Sequence, residues 1–201
     1  MLPSMFRPKA LADFIGPARL HAEKIDRLIA AARPTGDAIT LLLLGPPGIG
    51  KTVLADYFVR QIGASRWSYQ KFNGTSFRID QADEIARSFR LTDMFGGYRV
   101  LQIEEVDSVP MVAQVRMLTL LDELPKKCAV VATSNCKIKE LEERFQRRFM
   151  VFNVKPPSAG DIFAFLRDRC QLAEAMAKQI AELCCGNFAA ALKDADEAAL
   201  G

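Results

Sequence analysis

Gly45-Pro46-Pro47-Gly48-Ile49-Gly50-Lys51-Thr52 spells G-x-x-x-x-G-K-T in full, between an apolar run at 38–44 and a helical pattern beginning at Lys51. Glycines at that spacing let backbone N–H groups turn inward around phosphate oxygens. The following helix adds the positive end of its dipole. Lys51 would reach the β- and γ-phosphates, the Thr52 hydroxyl would complete the coordination of Mg²⁺, and Val53 continues the same first turn. This is the pattern of an ATP or GTP site. Such a site needs a carboxylate at the end of a neighbouring strand, and Val100-Leu101-Gln102-Ile103-Glu104-Glu105 supplies two. Successive residues at a strand end point different ways, so Glu104 is assigned to the magnesium shell and Glu105 to polarising the attacking water as general base. Another β-rich run, Val130-Val131-Ala132-Thr133-Ser134-Asn135, closes on an amide that could bind the γ-phosphate and align the water.

The elements that must position these groups alternate. Helical spacing over 19–32 is followed by the strand-sized run 38–44, the glycine-rich loop and a helix from Lys51 to Ile62. Then come an extended stretch Trp67–Asn73, a helix over 80–91, a strand Arg99–Glu104 and a helix over 111–124. A strand Ala129–Thr133, a helix over 138–146 and a strand Phe149–Val154 complete the series. Strands alternating with helices predict a parallel sheet covered on both faces. Lys155-Pro156-Pro157-Ser158-Ala159-Gly160 is a breaker cluster, and three helical patterns without a strand follow it, over 161–169, 172–184 and 188–199. The expected division is an α/β domain at 1–155 and a small helical domain at 156–201.

The chain has 201 residues, half of them apolar, enough for one domain with a small appendage and a real core. A net charge of +3, from 27 Lys and Arg against 24 Asp and Glu, neither requires nor forbids a nucleic-acid partner. No run approaches the ~20 apolar residues that span a bilayer, and the N-terminus lacks the apolar stretch of a signal peptide. The cysteines, Cys128, Cys136, Cys170, Cys184 and Cys185, show no C-x-x-C spacing and read as reduced thiols of a cytoplasmic protein. His21 has no catalytic or metal-ligating companions and reads as structural; Trp67 reads as a packing residue.

These residues resemble the AAA+ ATPases, and within them the clamp-loader group that includes replication factor C small subunits. Beyond the phosphate loop, four stretches carry the resemblance. Phe6-Arg7-Pro8-Lys9-Ala10-Leu11-Ala12-Asp13-Phe14-Ile15-Gly16 is similar to the family's N-terminal segment, which packs against the adenine; this implies binding roles for Arg7, Pro8, Phe14 and Ile15. Phe72-Asn73-Gly74-Thr75-Ser76-Phe77-Arg78-Ile79-Asp80 is similar to the segment after the second strand. Glu104-Glu105-Val106-Asp107 sits where the family carries D-E-A-D, and Thr133-Ser134-Asn135 sits at sensor 1. The resemblance implies a P-loop NTPase fold with a five-stranded parallel sheet in the order 5-1-4-3-2 and a C-terminal helical lid. It also implies ATP sites between subunits of a ring, whether of this chain alone or with related subunits, where a neighbour inserts an arginine finger. Glu142-Glu143-Arg144-Phe145-Gln146-Arg147-Arg148-Phe149 lies where clamp loaders carry S-R-C, with Arg148 aligned to the arginine.

The chain departs from the family pattern in three places. Glu104 replaces the usual Asp. Ala189 falls where the sensor 2 arginine would be, with Lys193 one helical turn on as the candidate substitute. The sequence stops at Gly201, where clamp-loader subunits add a collar. Three readings stand: an ATPase acting in DNA replication, recombination or mobile-element maintenance; a protein-remodelling ATPase; and a nucleotide-binding subunit with impaired hydrolysis. DNA and a protein both stay open as partners. Arg116 falls where clamp loaders track DNA but reads first as a solvated surface arginine. Met94-Phe95-Gly96-Gly97-Tyr98 is an aromatic-glycine stretch of the kind remodelling motors thread substrate past, although its place immediately before a strand fits a turn better. The basic stretch Lys126, Lys127, Lys137, Lys139, Arg144, Arg147 and Arg148 is read as facing a neighbouring subunit.

Overall fold

Leu41, Leu42 and Leu43 succeed one another without a polar break, so both faces of their strand must be covered, and in a computed structural model of the chain none of them is exposed. The structure describes residues 6–91, 96–135, 141 and 143–198. Helix α1 (Gly16–Ala32) precedes strand β1 (Ile39–Leu44), and α2 (Lys51–Ile62) follows the glycine-rich loop. Then come β2 (Tyr69–Asn73), α3 (Ile79–Phe89), β3 (Arg99–Glu104), α4 (Met111–Asp122) and β4 (Cys128–Ser134). The short helix α5 (Glu143–Gln146) and strand β5 (Met150–Asn153) close the sheet. Three helices remain: α6 (Ala159–Asp168), α7 (Glu174–Leu183) and α8 (Phe188–Ala198).

All pairings are parallel and the strand order is β2-β3-β4-β1-β5, the expected 5-1-4-3-2 read from the other edge. Alternation along β1 sends Ile39, Leu41 and Leu43 to one face and Leu42 and Leu44 to the other. The first face packs on α1 and α2 through Ile25, Ile29, Leu54 and Phe58. The second packs on α3, α4 and α5 through Ile85, Phe89, Met117 and Phe145. Each fully buried Leu contributes about 1.5–3 kcal/mol of transfer free energy. Helices α6–α8 enclose a third cluster built on Ile162, Leu166, Ile180 and Leu192, with Phe6 and Ile15 packed against it. Ser158 caps α6: its hydroxyl accepts from the Asp161 N–H at 3.1 Å, and the Asp161 carboxylate accepts from the Ser158 N–H at 2.9 Å.

Two expectations change. Trp67 is 71% exposed, outside the sheet, because β2 begins only at Tyr69 and the residues before it form a turn. The helix expected over 138–146 is seen as Glu143–Gln146; Cys136, Lys137, Lys139, Glu142, Met94 and Phe95 lie outside the described residues. His21 donates from Nε2 to the Asn153 carbonyl at 3.1 Å, and burial first, then the nearby Lys24 charge, holds its pKa below the usual value. That links α1 to the end of β5, a structural contact. Among the described residues no helix is long and apolar enough to cross a membrane.

Candidate nucleotide site

Parallel pairing brings the carboxyl ends of the strands to one edge. Leu44 lies beside Ser134 and Asn153, and Asn73 lies beside Glu104. The loop after β1 therefore opens next to the ends of β3 and β4, where a cavity of about 440 Å³ is found. Two glycines of that loop have no room for a side chain: a Cβ on Gly45 would stand 2.4 Å from the Val154 carbonyl oxygen, and one on Gly48 would stand 2.0 Å from Asn187 Oδ1. Gly50, left-handed at φ 94°, turns the chain into α2.

Lys51 is 6% exposed and fully engaged. Its ammonium donates to the Gly45 carbonyl at 2.7 Å, the Pro46 carbonyl at 2.6 Å and Asn135 Oδ1 at 2.8 Å. Burial pulls its pKa below the usual lysine value, and the charges of Asp107 and Glu105 push back without restoring it. Asn135 is oriented in turn by its backbone N–H, which donates to Asp107 Oδ1 at 3.3 Å. Glu105 sits in the left-handed region at φ 54°, ψ 52°, a conformation that costs a non-glycine residue about 1–3 kcal/mol. Two contacts fix it there. Its N–H donates to Thr133 Oγ1 at 3.2 Å, and its carbonyl lies only 2.0 Å from where a Cβ on Gly74 would be. The sharp turn separates the two carboxylates: Glu105 lines the cavity, whereas Glu104 does not. Glu104 Oε1 stands 2.8 Å from Lys71 Nζ, which also reaches Asp56 at 3.3 Å. Burial opposes the charge on Lys71, but Glu104 and Asp56 outweigh it and raise the lysine pKa.

The other end of the cavity is apolar. Arg7, Pro8, Phe14 and Ile15 are among its walls, with Phe165, Phe188 and Leu192 opposite. Phe14 stands edge-on to Tyr57 with centroids 5.0 Å apart, while Phe165 stacks edge-on against both Phe6, at 5.4 Å, and Phe188, at 5.0 Å. Neighbouring residues 14 and 15 thus join different cores, Phe14 the sheet's and Ile15 the helical cluster's. The helical part also touches the loop directly, since the Ala189 N–H donates to the Gly48 carbonyl at 2.9 Å. Lys193, the candidate substitute for the missing arginine, is not among the walls; its side chain is 76% exposed and 3.8 Å from Glu197. An amide, not a cation, meets the loop from this side.

The structure therefore gathers Gly48 to Val53, Pro47, Glu105, Asn135, Arg7, Pro8, Phe14 and Ile15 around one cavity, with Gly45 and Pro46 behind Lys51. It leaves Glu104 and Arg148 outside it. Arg148 makes a bidentate pair with Asp122, 2.6 Å from Nε and 2.9 Å from Nη2, and Arg147 pairs with Glu143. The chemistry fits a nucleoside triphosphate: an apolar slot for a flat base, glycines at the closest approach, and a buried ammonium among carbonyl oxygens that phosphates can replace. Among the described residues no group of three or more His, Cys, Asp and Glu forms a metal cluster. Of the two residues expected to serve a metal, Thr52 lines the cavity and Glu104 is paired with Lys71. Sequence reasoning assigned no role to Thr133, Asp107, Lys71 and Asn187. Thr133 and Asp107 stand inside the stretches already singled out, whereas nothing in the local sequence marks Lys71 or Asn187.

The ATPase family associated with various cellular activities (AAA) matches residues 41–156, from β1 through β5. The chain belongs to the AAA family. This AAA chain is 28% identical over 162 residues to the replication factor C small subunit of Methanocella arvoryzae, covering 78% of this chain and 48% of that protein. It is 26% identical over 184 residues to the same subunit of Archaeoglobus fulgidus, covering 89% and 51%. The Holliday junction branch migration complex subunit RuvB of Chlorobium luteolum is 32% identical over 124 residues, 61% of this chain and 33% of the relative. The solved Holliday junction branch migration motor RuvB of Thermotoga maritima shares the fold, with a TM-score of 0.78 at 21% identity, covering 95% of this chain and 64% of that one. The AAA chain thus spans about half the length of the replication factor C subunits it matches.

Proposed function

We propose that this AAA chain binds ATP with Mg²⁺ in the cavity at the carboxyl edge of the sheet and hydrolyses it as one subunit of an oligomer working on DNA. The observation that carries the reading is the convergence of Lys51, Asn135 and Glu105 at the mouth of a glycine loop backed by a helix N-terminus. In it, the loop amides and Lys51 hold the phosphates, Asn135 aligns the attacking water, and Glu105 takes its proton. Bound Mg²⁺ would neutralise phosphate charge, with Thr52 as its protein ligand and Glu104 behind it once released from Lys71. Arg148 is the residue offered to a neighbouring subunit's nucleotide. Residues 156–201 serve as the lid domain, contacting the loop through Ala189. The DNA role is taken from the printed names of the relatives in replication and branch migration.

The test separates binding from chemistry. Lys51→Ala should weaken ATP binding by about 10- to 100-fold, since it removes a charged donor to phosphate. Glu105→Gln should keep ATP binding and lower turnover by about 10²- to 10⁴-fold. A Glu105→Gln protein that hydrolyses ATP at the normal rate would overturn the assignment of the base. A second reading, a nucleotide-binding subunit with impaired hydrolysis, is favoured by the Glu104–Lys71 pair and by the exposed position of Lys193. Absence of turnover at every protein concentration, with and without single-stranded DNA, would select it.

A further inference from the structure

The pairing of β3 with β4 runs as far as Ile103 beside Ala132. Just past that point stand the two residues that carry the proposed chemistry. Glu105 turns off left-handed into the short turn Val106–Ser108, while Asn135 directly follows β4. Two bonds cross between these segments. The Glu105 N–H donates to Thr133 Oγ1 at 3.2 Å, from the turn to β4. The Asn135 N–H donates to Asp107 Oδ1 at 3.3 Å, from the end of β4 back to the turn. Each of the two residues is thus held at its backbone by a side chain from the other's segment.

Both acceptors have a firm base. Thr133 is buried in β4, beside Leu43 of β1 near the middle of the sheet. Asp107 belongs to a turn closed by the Ser108 N–H on the Glu105 carbonyl at 2.8 Å and anchored by fully buried Val106. A left-handed glutamate persists only while its surroundings over-determine it, so the Thr133 acceptor is part of what keeps Glu105 in place. The side chains extend the arrangement: Asn135 Oδ1 accepts from Lys51 at 2.8 Å, and Glu105, Thr133 and Asn135 all line the nucleotide cavity.

We propose that Thr133 and Asp107 are positioning residues that lock Glu105 and Asn135 into one unit, so that base and water-aligning amide keep their spacing or lose it together. The roles of Glu105 and Asn135 rest on the proposed ATPase reading; what holds the two residues goes beyond it. Separate bonds to unrelated segments would fix each residue alone. Crossed bonds between the same two short segments make each depend on the other, because a turn that pulls Glu105 from Thr133 also withdraws Asp107 from Asn135.

The first measurement is amide hydrogen exchange, read by NMR on the full chain without nucleotide. Thr133→Val keeps a β-branched residue in β4 but removes the acceptor. It should speed exchange of the Glu105 N–H, and through the crossed bonds that of the Asn135 N–H, by about fivefold, the scale of one net hydrogen bond. Asp107→Ala should do the same from the other side. Exchange that changes only where the acceptor itself was removed would overturn the proposal. Turnover is measured next. Each single variant should lower kcat about tenfold while the ATP dissociation constant changes less than about threefold, and the double variant should lose no more than the worse single one. Thr133→Ser and Asp107→Asn keep an oxygen acceptor and should restore both exchange and kcat; the second also removes the charge that Lys51 feels. Losses that multiply in the double variant would overturn the proposal. So would a Thr133→Val protein whose ATP binding weakens as much as its turnover, marking a direct contact with the nucleotide. A wild-type chain without turnover would sink the ATPase reading, and the exchange measurement would still decide the lock.

Discussion

Glu104 and Glu105 have the same side chain and adjacent positions, yet they face different surroundings. The left-handed turn at Glu105 swings its carboxylate to the cavity, while Glu104 stays in the pleat of β3 and meets Lys71 from β2. On the proposed reading, in which Glu104 serves Mg²⁺, Lys71 competes with the metal for that carboxylate. Replacing it by Met leaves a partly buried carboxylate, 22% exposed, without its partner. Lys71→Met is expected to lower the Mg²⁺ concentration that gives half-maximal hydrolysis, with a loss of stability in the same variant. A magnesium titration of wild type and variant checks it, and coincident curves would make Glu104 a structural partner of Lys71 alone.

At the scale of elements, the site depends on how closely β2 and β3 end together. Gly74, directly after β2, leaves only 2.0 Å between its would-be Cβ and the Glu105 carbonyl oxygen. Both neighbours are backbone, so no side chain can yield; the strand ends must part. Gly74→Ala should displace the turn that aims Glu105, lowering turnover by at least about tenfold, or roughly 1.4 kcal/mol in the barrier. Nucleotide affinity should fall less, because the loop follows β1, Lys51 begins α2 and Asn135 follows β4, away from Gly74. Single-turnover hydrolysis beside equilibrium ATP binding distinguishes the two effects; equal losses in both would mean that the whole carboxyl edge had moved.

For the molecule as a whole, Arg148 ties the question of activity to assembly. Its bidentate pair with Asp122 lies away from the chain's own cavity, and it holds the Asp122 carboxyl below the usual range. An ion pair at the surface contributes little to folding, because water screens both charges. Arg148→Ala should thus leave the melting temperature nearly unchanged. If Arg148 serves a neighbour's nucleotide, the same change should lower hydrolysis by about 10³-fold or more in the assembled protein and leave monomer ATP binding intact. Turnover per subunit is measured against protein concentration: a rise in wild type that the variant lacks is expected, and parallel curves would exclude Arg148 from the role.

The sequence by itself determined the phosphate loop, the alternation of strands and helices, the AAA resemblance and the strand order that the resemblance implies. These are local signals or periodic ones: glycine spacing, uninterrupted leucines in β1, a proline-rich break before α6. It also placed Glu105 and Asn135 at strand ends, because apolar runs that stop on polar residues are visible in one dimension. Tertiary structure alone decided which of the paired glutamates faces the cavity, since a backbone torsion and the approach of Gly74 set that choice. It alone set the Ala189 amide on the loop where a cation was sought in Lys193, and paired Arg148 with Asp122. It alone joined the Glu105 turn to the end of β4 through Thr133 and Asp107, residues far apart in the chain. Register, torsion and long-range packing act between segments whose separation along the chain carries no periodic mark, so only the folded molecule displays them.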